Sequence, residues 1–152
     1  MQTHVFSGMQ NKPDKSADVW IQLARAHSQI LRSTEAALKS SNLPGLSWYD
    51  VLLEVERSGR NGLRPFELEE RMLLPQYGVS RLVDRIEKSG LISVEPYDQD
   101  GRGKRLTITK SGKKMRQEMW TIYGPALKTA ISGKLSLAEV QDLRHILIKL
   151  NT

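Results

Sequence analysis

Apolar and polar positions follow a helical period between residues 76 and 89. The apolar residues recur at i, i+3, i+4 and i+7, which places them on one stripe of a helix: Val79, Leu82, Val83 and Ile86. Pro75 suits the first turn of such a helix, because its missing N–H would be unpaired there. Gly90 suits the position just past a helix end. The pattern predicts an amphipathic helix from Gln76 to Ser89.

The opposite face of that helix is polar. Six residues remain on it: Gln76, Tyr77, Ser80, Arg81, Asp84 and Arg85. Glutamine and arginine can each pair with a base edge through two hydrogen bonds, and serine and tyrosine can reach phosphates. An ordinary solvated helix that carries surface charges would give the same pattern, so the helix alone leaves both interpretations open.

A basic hairpin, which we call the wing, is predicted directly after this helix. Apolar and polar residues alternate over 92–96 and again over 105–108, as in short strands with one face on a core. The loop end of the hairpin presents three cations: Arg102, Lys104 and Arg105. Such a loop can enter the electronegative minor groove beside a helix in the major groove, although a merely solvated loop is the alternative. The order of elements over residues 65–112 predicts a winged helix-turn-helix that binds double-stranded DNA.

The positive charge of the chain is concentrated in the same stretch. The net charge is +6, and residues 76–116 contain 10 Lys and Arg against 5 Asp and Glu, whereas residues 1–75 contain 9 of each. Phosphate binding requires local positive charge, because each neutralised phosphate releases condensed counterions. The distribution therefore favours a nucleic-acid partner.

Two smaller signals lie upstream of the helix. Ser47 is predicted to cap a helix that runs to about Arg57, with Asp50 three residues further on. A short strand at 62–64 is predicted to pair with the wing. Arg64 suits a phosphate contact and equally suits an exposed position without that role.

Apolar seams at both ends of the chain predict self-association. Residues 18–39 keep apolar positions at helical spacing, and Ser136–Glu139 forms a capping-box signature before a near-heptad apolar series that ends at Leu150. A compact DNA-binding core does not need these helices, so we expect 18–39 and 113–150 to pack against a second copy. A monomer whose core they close is the alternative. Two-fold symmetry would match a palindromic site.

A set of residues spread over these elements carries a further signal. It consists of Leu68, the run Val79–Arg85, Gly90 with Leu91, the wing residues Asp100–Gly103 and the ending Thr109–Gly112. Together they resemble the multiple-antibiotic-resistance-regulator (MarR) family of bacterial transcription regulators over about residues 18–150. The resemblance implies an obligate homodimer, a palindromic operator and a small-molecule or oxidative signal that releases DNA. The chain has no cysteine, which excludes the thiol-based peroxide sensors of that family.

The resemblance also implies a ligand pocket between the dimerisation helices and the DNA-binding lobe. Four ring-bearing residues are candidates for its lining, although residues of this kind also belong to cores: Trp20, His27, Trp48 and Tyr49. Tyr77 and Gly78 depart from the family, in which small hydroxyl residues are frequent at the start of the recognition helix. Base preference is therefore left open.

Catalysis and cofactor binding find little support. His4, His27 and His145 are scattered, with no second ligand at metal-binding spacing. The sequence contains neither a glycine-rich phosphate loop nor a nucleophile elbow. We expect no enzyme activity, no cofactor and no metal. Because no apolar run approaches a membrane span and no secretory signal opens the chain, we expect a cytoplasmic protein without a membrane partner.

The expected fold is mainly α (α+β), a winged helix-turn-helix with a small β-hairpin wing and long N- and C-terminal dimerisation helices. Residues 1–17 are expected to be mobile, and 18–152 to form a single MarR-like domain with its DNA-binding lobe at about 47–112. The expected function is that of a dimeric, sequence-specific repressor of transcription that a small, aromatic ligand releases from DNA. A winged-helix protein-interaction module without sequence-specific DNA binding is the alternative.

Overall fold

The computed structural model describes residues 14–96 and 103–152. They divide into two compact units, one that ends at Arg32 and one that runs from Ser33 to Thr152. The first helix, α1, spans Ser16–Ser40, with Asp18 in its first turn and Lys39 in its last, which suits the helix dipole. The expected mobility of residues 1–17 falls mostly outside the described residues, and residues 16 and 17 already belong to α1. The extent of a single domain over 18–152 stays a prediction.

The second unit is mainly helical with one antiparallel hairpin, as expected from the sequence. After α1 follow five helices: α2 Leu46–Arg57, α3 Pro65–Arg71, α4 Val79–Lys88, α5 Lys110–Ala130 and α6 Leu137–Leu150. A short 3-10 turn at Gly59–Asn61 lies between α2 and α3. The strands are β1 Ile92–Pro96 and β2 Lys104–Ile108. The helices of the described ranges are too short or too polar to span a lipid bilayer.

A backbone bridge joins the hairpin to the segment between α2 and α3. Ile92 lies opposite Ile108 and Val94 opposite Leu106 in the register of the two strands. Leu63 donates its N–H to the carbonyl of Leu106 at 2.9 Å and accepts the N–H of Leu106 at 2.8 Å. The predicted strand at 62–64 is therefore confirmed as one bridging residue, Leu63.

The core of the second unit lies between α2, α4 and the wing. Its buried apolar side chains include Val51, Leu52 and Val55 from α2, the predicted stripe of α4, and Leu91, Ile92 and Leu106 from the hairpin region. Each such side chain contributes about 1.5–3 kcal/mol on burial. The stripe of α4 is thus buried as its spacing predicts.

The start of α4 differs from the prediction. The helix begins at Val79, not at Gln76, and Pro75 lies before it and not in its first turn. The cause is Gly78, whose φ of +71° puts the N-cap in the left-handed region, so that the chain before it does not continue the helix. The end of α4 is as predicted, since Gly90 has a φ of +78° and the N–H of Leu91 reaches back to the carbonyl of Ile86.

The start of α2 also differs from the prediction. Ser47 lies inside the helix, which begins at Leu46 after an N-cap at Gly45. The cap is supplied from α1, because Glu35 Oε1 accepts the N–H of Leu46 at 2.7 Å. Asp50 is buried and accepts the N–H of Leu74 at 3.0 Å, and so holds the connection between α3 and α4.

The capping box of α6 is confirmed. Ser136 Oγ accepts the N–H of Glu139, and the Glu139 carboxylate accepts the N–H of Ser136. The helix that follows keeps large apolar side chains exposed within the chain: Leu137, Leu143, Ile146, Ile148 and Leu150.

Candidate nucleic-acid interface

The exposed face of α4 forms a shallow groove. It is lined by Tyr77, Gly78, Arg81, Asp84, Arg85 and Lys88. Ser80, Arg81 and Arg85 are exposed, while the apolar stripe on the other side of the helix is buried. The helix thus exposes two arginines and a hydroxyl, while the packing of its buried stripe holds the helix itself in place.

The approach to α4 brings two further predicted residues to the same end of the helix. Gln76 and Tyr77 are exposed, and the side chain of Tyr77 is fully accessible to solvent. Gly78 carries no side chain that could cap the first amides of α4. Amides at a helix N-terminus favour negative charge, so this end suits a phosphate.

Both ends of α4 are tied to neighbouring helices. At the N-terminal side, Asp50 of α2 holds the connection through Leu74. At the C-terminal side, Thr109 Oγ1 donates to the carbonyl of Gly90 at 2.7 Å and accepts the N–H of Gly112 at 3.0 Å. A Cβ on Gly112 would lie 2.0 Å from the carbonyl oxygen of Leu91, so only glycine allows α5 to start this close to the end of α4.

The three predicted cations of the wing differ in their settings. Lys104 is exposed at the first position of β2. Arg105 Nη2 donates to Glu95 Oε2 at 2.8 Å, so its guanidinium already has a carboxylate partner. Arg102 lies outside the described residues. Arg64, the upstream candidate, stacks over the ring of Phe66 at 5.1 Å.

A second concave site lies between α2 and α5. It is a cavity of about 520 Å³ with apolar walls from α2, α5 and the α3–α4 connection. Tyr49, Trp120 and Tyr123 form an aromatic cluster there, with ring centroids 5.1 to 6.1 Å apart. Arg57 and Arg71 also line the cavity, each ion-paired with a glutamate on its own helix. Burial raises the pKa of Tyr123, and the charges of Tyr49 and Asp50 add to that shift.

The four predicted ligand residues are not brought together at this cavity. Tyr49 lines it, while Trp48 is half-buried on α2 and is not among the described residues of the lining. Trp20 and His27 are exposed residues of the first unit. Trp120 and Tyr123 were missed, although their i, i+3 spacing on a predicted helix puts two rings on one face. Within the described ranges, His, Cys, Asp and Glu side chains form no cluster that could hold a metal ion.

Comparison with known proteins identifies this arrangement. Residues 41–103 match the model of the MarR family. The transcriptional repressor IacR of Pseudomonas putida is 26% identical over 125 residues, which cover 82% of this chain and 72% of the relative. The transcriptional activatory protein BadR of Rhodopseudomonas palustris is 22% identical over 149 residues, which cover 90% of this chain and 83% of that relative.

A similar fold occurs in solved structures. A MarR family transcriptional regulator from Streptomyces coelicolor, crystallised in complex with DNA, superimposes with a TM-score of 0.78 at 21% identity, covering 92% of this chain and 91% of that one. The winged-helix fold predicted from the sequence and the resemblance to the MarR family are thereby confirmed.

Proposed function

We propose that this chain is a dimeric, sequence-specific DNA-binding repressor of the MarR family, whose members are transcription regulators and not enzymes, and that a small ligand releases it from DNA. The observation that carries the proposal is the exposed face of α4, on which Arg81 and Arg85 stand opposite a buried apolar stripe. A helix held in this way can enter the major groove without deforming.

Five exposed residues of α4 and of the segment before it have proposed roles. Arg81 and Arg85 read base edges, since a guanidinium can make two hydrogen bonds to guanine. Gln76 reads a base from the approach to the helix, and Tyr77 and Ser80 contact the phosphates next to the uncapped helix start.

The wing is proposed to dock beside the same groove. Lys104 is exposed and suits a phosphate, and the sequence predicts that Arg102 reaches the minor groove. Arg105 differs from Lys104 because it is ion-paired with Glu95.

Dimerisation is proposed from exposed apolar surface. Leu143, Ile146 and Leu150 follow helical spacing on α6 and are 38%, 53% and 60% exposed. In the first unit, Val19, Trp20 and Ile21 are likewise exposed. Surface of this kind stabilises a protein when a second copy covers it, and two-fold symmetry would present two α4 helices to a palindromic operator.

Ligand release is proposed from the cavity between α2 and α5. Its aromatic cluster suits a planar ring, and Arg57 and Arg71 suit an acidic group on that ring. Leu73 and Leu74, which precede α4, line the same cavity. A ligand that moves them would also shift the start of α4. Repression is proposed because IacR is a repressor and because a dimer on an operator excludes other proteins from that DNA.

The test is fluorescence anisotropy of the full chain with the duplex upstream of its own gene and with a random duplex of equal length. We expect tighter binding to the upstream duplex, weakening with salt, and release by some member of a panel of aromatic carboxylates. Equal, weak binding to both duplexes at all salt concentrations would overturn the proposal and favour a protein-interaction module.

A further inference from the structure

We propose that Arg105 is a positioning residue: with Glu95 and Gly62 it locks the wing to the connection between α2 and α3, and it does not contact phosphate. The role for DNA binding rests on the proposed function, but the lock itself is a property of the folded chain.

The ion pair crosses the wing from strand to strand. Glu95 and Arg105 are direct partners in the register of β1 and β2. Their side chains meet at 2.8 Å between Arg105 Nη2 and Glu95 Oε2. Opposite charges at directly paired positions stabilise a hairpin, and a guanidinium that donates to Glu95 has fewer N–H groups left to donate to a phosphate.

The stem of Arg105 lies on the backbone of Gly62. A Cβ at Gly62 would be 2.3 Å from Arg105 Cγ and 2.8 Å from the carbonyl oxygen of Leu106. Gly62 also has a φ of +74°, which side chains with a Cβ rarely adopt. The next residue, Leu63, makes the two backbone hydrogen bonds to Leu106. Arginine stem and backbone bridge therefore hold the same two segments together.

The orientation of the guanidinium agrees with this role. Arg105 Nε is buried and has no hydrogen-bond partner among the described residues. An arginine that serves a phosphate presents its N–H groups outward, whereas this side chain turns its Nε towards the protein. The neighbouring Lys104 is exposed and provides the matched comparison on the same strand.

The experiment compares Arg105→Gln, Glu95→Gln and Lys104→Gln in the full-length protein, with operator affinity measured across salt concentrations. We expect Lys104→Gln to reduce the salt slope by about one unit, as a lost phosphate contact does. Arg105→Gln and Glu95→Gln should each weaken binding by roughly fivefold with an unchanged slope, and the double variant should be no worse than either single one. The proposal is overturned if Glu95→Gln binds as tightly as the wild type while Arg105→Gln loses one unit of slope.

A second readout does not involve DNA. Amide hydrogen exchange at Leu63 and Leu106 should become faster in Arg105→Gln and in Gly62→Ala, and should stay unchanged in Lys104→Gln. Unchanged exchange in Arg105→Gln would overturn the lock even if the protein binds DNA. Failure of the wild type to bind DNA, with faster exchange in Arg105→Gln, would instead refute the proposed function and leave the lock standing.

Discussion

Arg81 lies in the first turn of α4, on the exposed side of the helix and between the uncapped start and Arg85. We expect Arg81→Ala to lower the affinity for the operator by about 1–3 kcal/mol, because alanine cannot make the two hydrogen bonds that we propose between the Arg81 guanidinium and a base. Binding to a random duplex should fall much less. Anisotropy with both duplexes measures the difference.

Lys134→Ala is the matched control for Arg81. It removes one positive charge from an exposed residue in the turn between α5 and α6, away from α4. It should leave the affinity for the operator and the affinity for the random duplex unchanged, apart from the small effect of one lost positive charge. If Arg81→Ala weakened both duplexes equally, α4 would position the protein on DNA without reading its sequence.

Among the elements, the end of α4 depends on one left-handed glycine. Gly90 has a φ of +78°, and a Cβ built there meets no described atom within 4 Å. The penalty of Gly90→Ala is therefore conformational, and we expect it to lower the free energy of unfolding by about 1–2 kcal/mol. Gly90→Asn should lower it less, since asparagine tolerates this region. Urea unfolding of both variants measures this, and equal stability of the wild type and the alanine variant would contradict it.

The capping box of α6 makes the stability of that helix depend on pH. The backbone and side-chain hydrogen bonds from Ser136 lower the pKa of Glu139. A carboxylate whose pKa is depressed on folding contributes stability above its unfolded pKa, and that contribution is lost as the pH falls through the folded pKa.

We expect Ser136→Ala to destabilise the protein at neutral pH, because α6 loses a cap. For Glu139→Gln, the difference from the wild type should shrink as the pH falls below the ordinary glutamate range. For Ser136→Ala it should largely persist, because the alanine variant keeps the backbone N–H that the Glu139 carboxylate accepts. Thermal unfolding of Ser136→Ala and of Glu139→Gln across pH measures it. A difference between Glu139→Gln and the wild type that does not change with pH would mean that the Glu139 carboxylate contributes nothing to the cap.

Elements that are determined by residues close together in the sequence could be predicted. The apolar stripe of α4 and the Ser136 signature each lie within a few residues, and the structure confirms them. The two strands of the wing are also confirmed, but burial does not alternate along β1, where Ile92 is buried and Pro96 is exposed. The start of α2 could not be predicted, because its cap comes from Glu35, eleven positions away. The predicted start of α4 was wrong because the prediction relied on Pro75 and on the amphipathic period and did not take account of Gly78, which ends the preceding segment in the left-handed conformation.

The cavity could be predicted only in part, because its lining comes from residues that are far apart in the sequence. Tyr49 was predicted because the resemblance to the MarR family implies a pocket between the dimerisation helices and the DNA-binding lobe. Trp120 and Tyr123 come from α5, about 70 residues later in the chain. The sequence places those two rings on one face of their helix but does not say which helix that face meets.

For the molecule as a whole, the exposed apolar stripe of α6 bears on its assembly. We expect Ile146→Glu to shift the protein from dimer towards monomer, because it places a charge in the exposed apolar stripe of α6. Operator affinity should fall with it. Light scattering and sedimentation at micromolar concentration measure the mass.

Gln141→Glu is the control for this prediction. It introduces the same single negative charge at an exposed polar position of α6, outside the stripe, and should leave the mass unchanged. A well-folded wild-type monomer at micromolar concentration would refute the dimer and remove the argument for a palindromic operator. An obligate dimer, by contrast, has no stable folded monomer.

The hydroxyl of Thr109, bonded both to Gly90 and to the start of α5, has a mechanical consequence. Because these bonds join the end of α4 to the start of α5, we expect a tilt of α5 to rotate α4 about its C-terminal end. A ten-residue helix is about 15 Å long, and a tilt of about 10° would displace its far end by roughly 2.6 Å. Hydrogen bonds to base edges tolerate only a few tenths of an ångström. Because the first turn of α4 is at the far end of this lever, we expect a small rotation of α5 to move Ser80 and Arg81 by more than their proposed contacts with DNA tolerate.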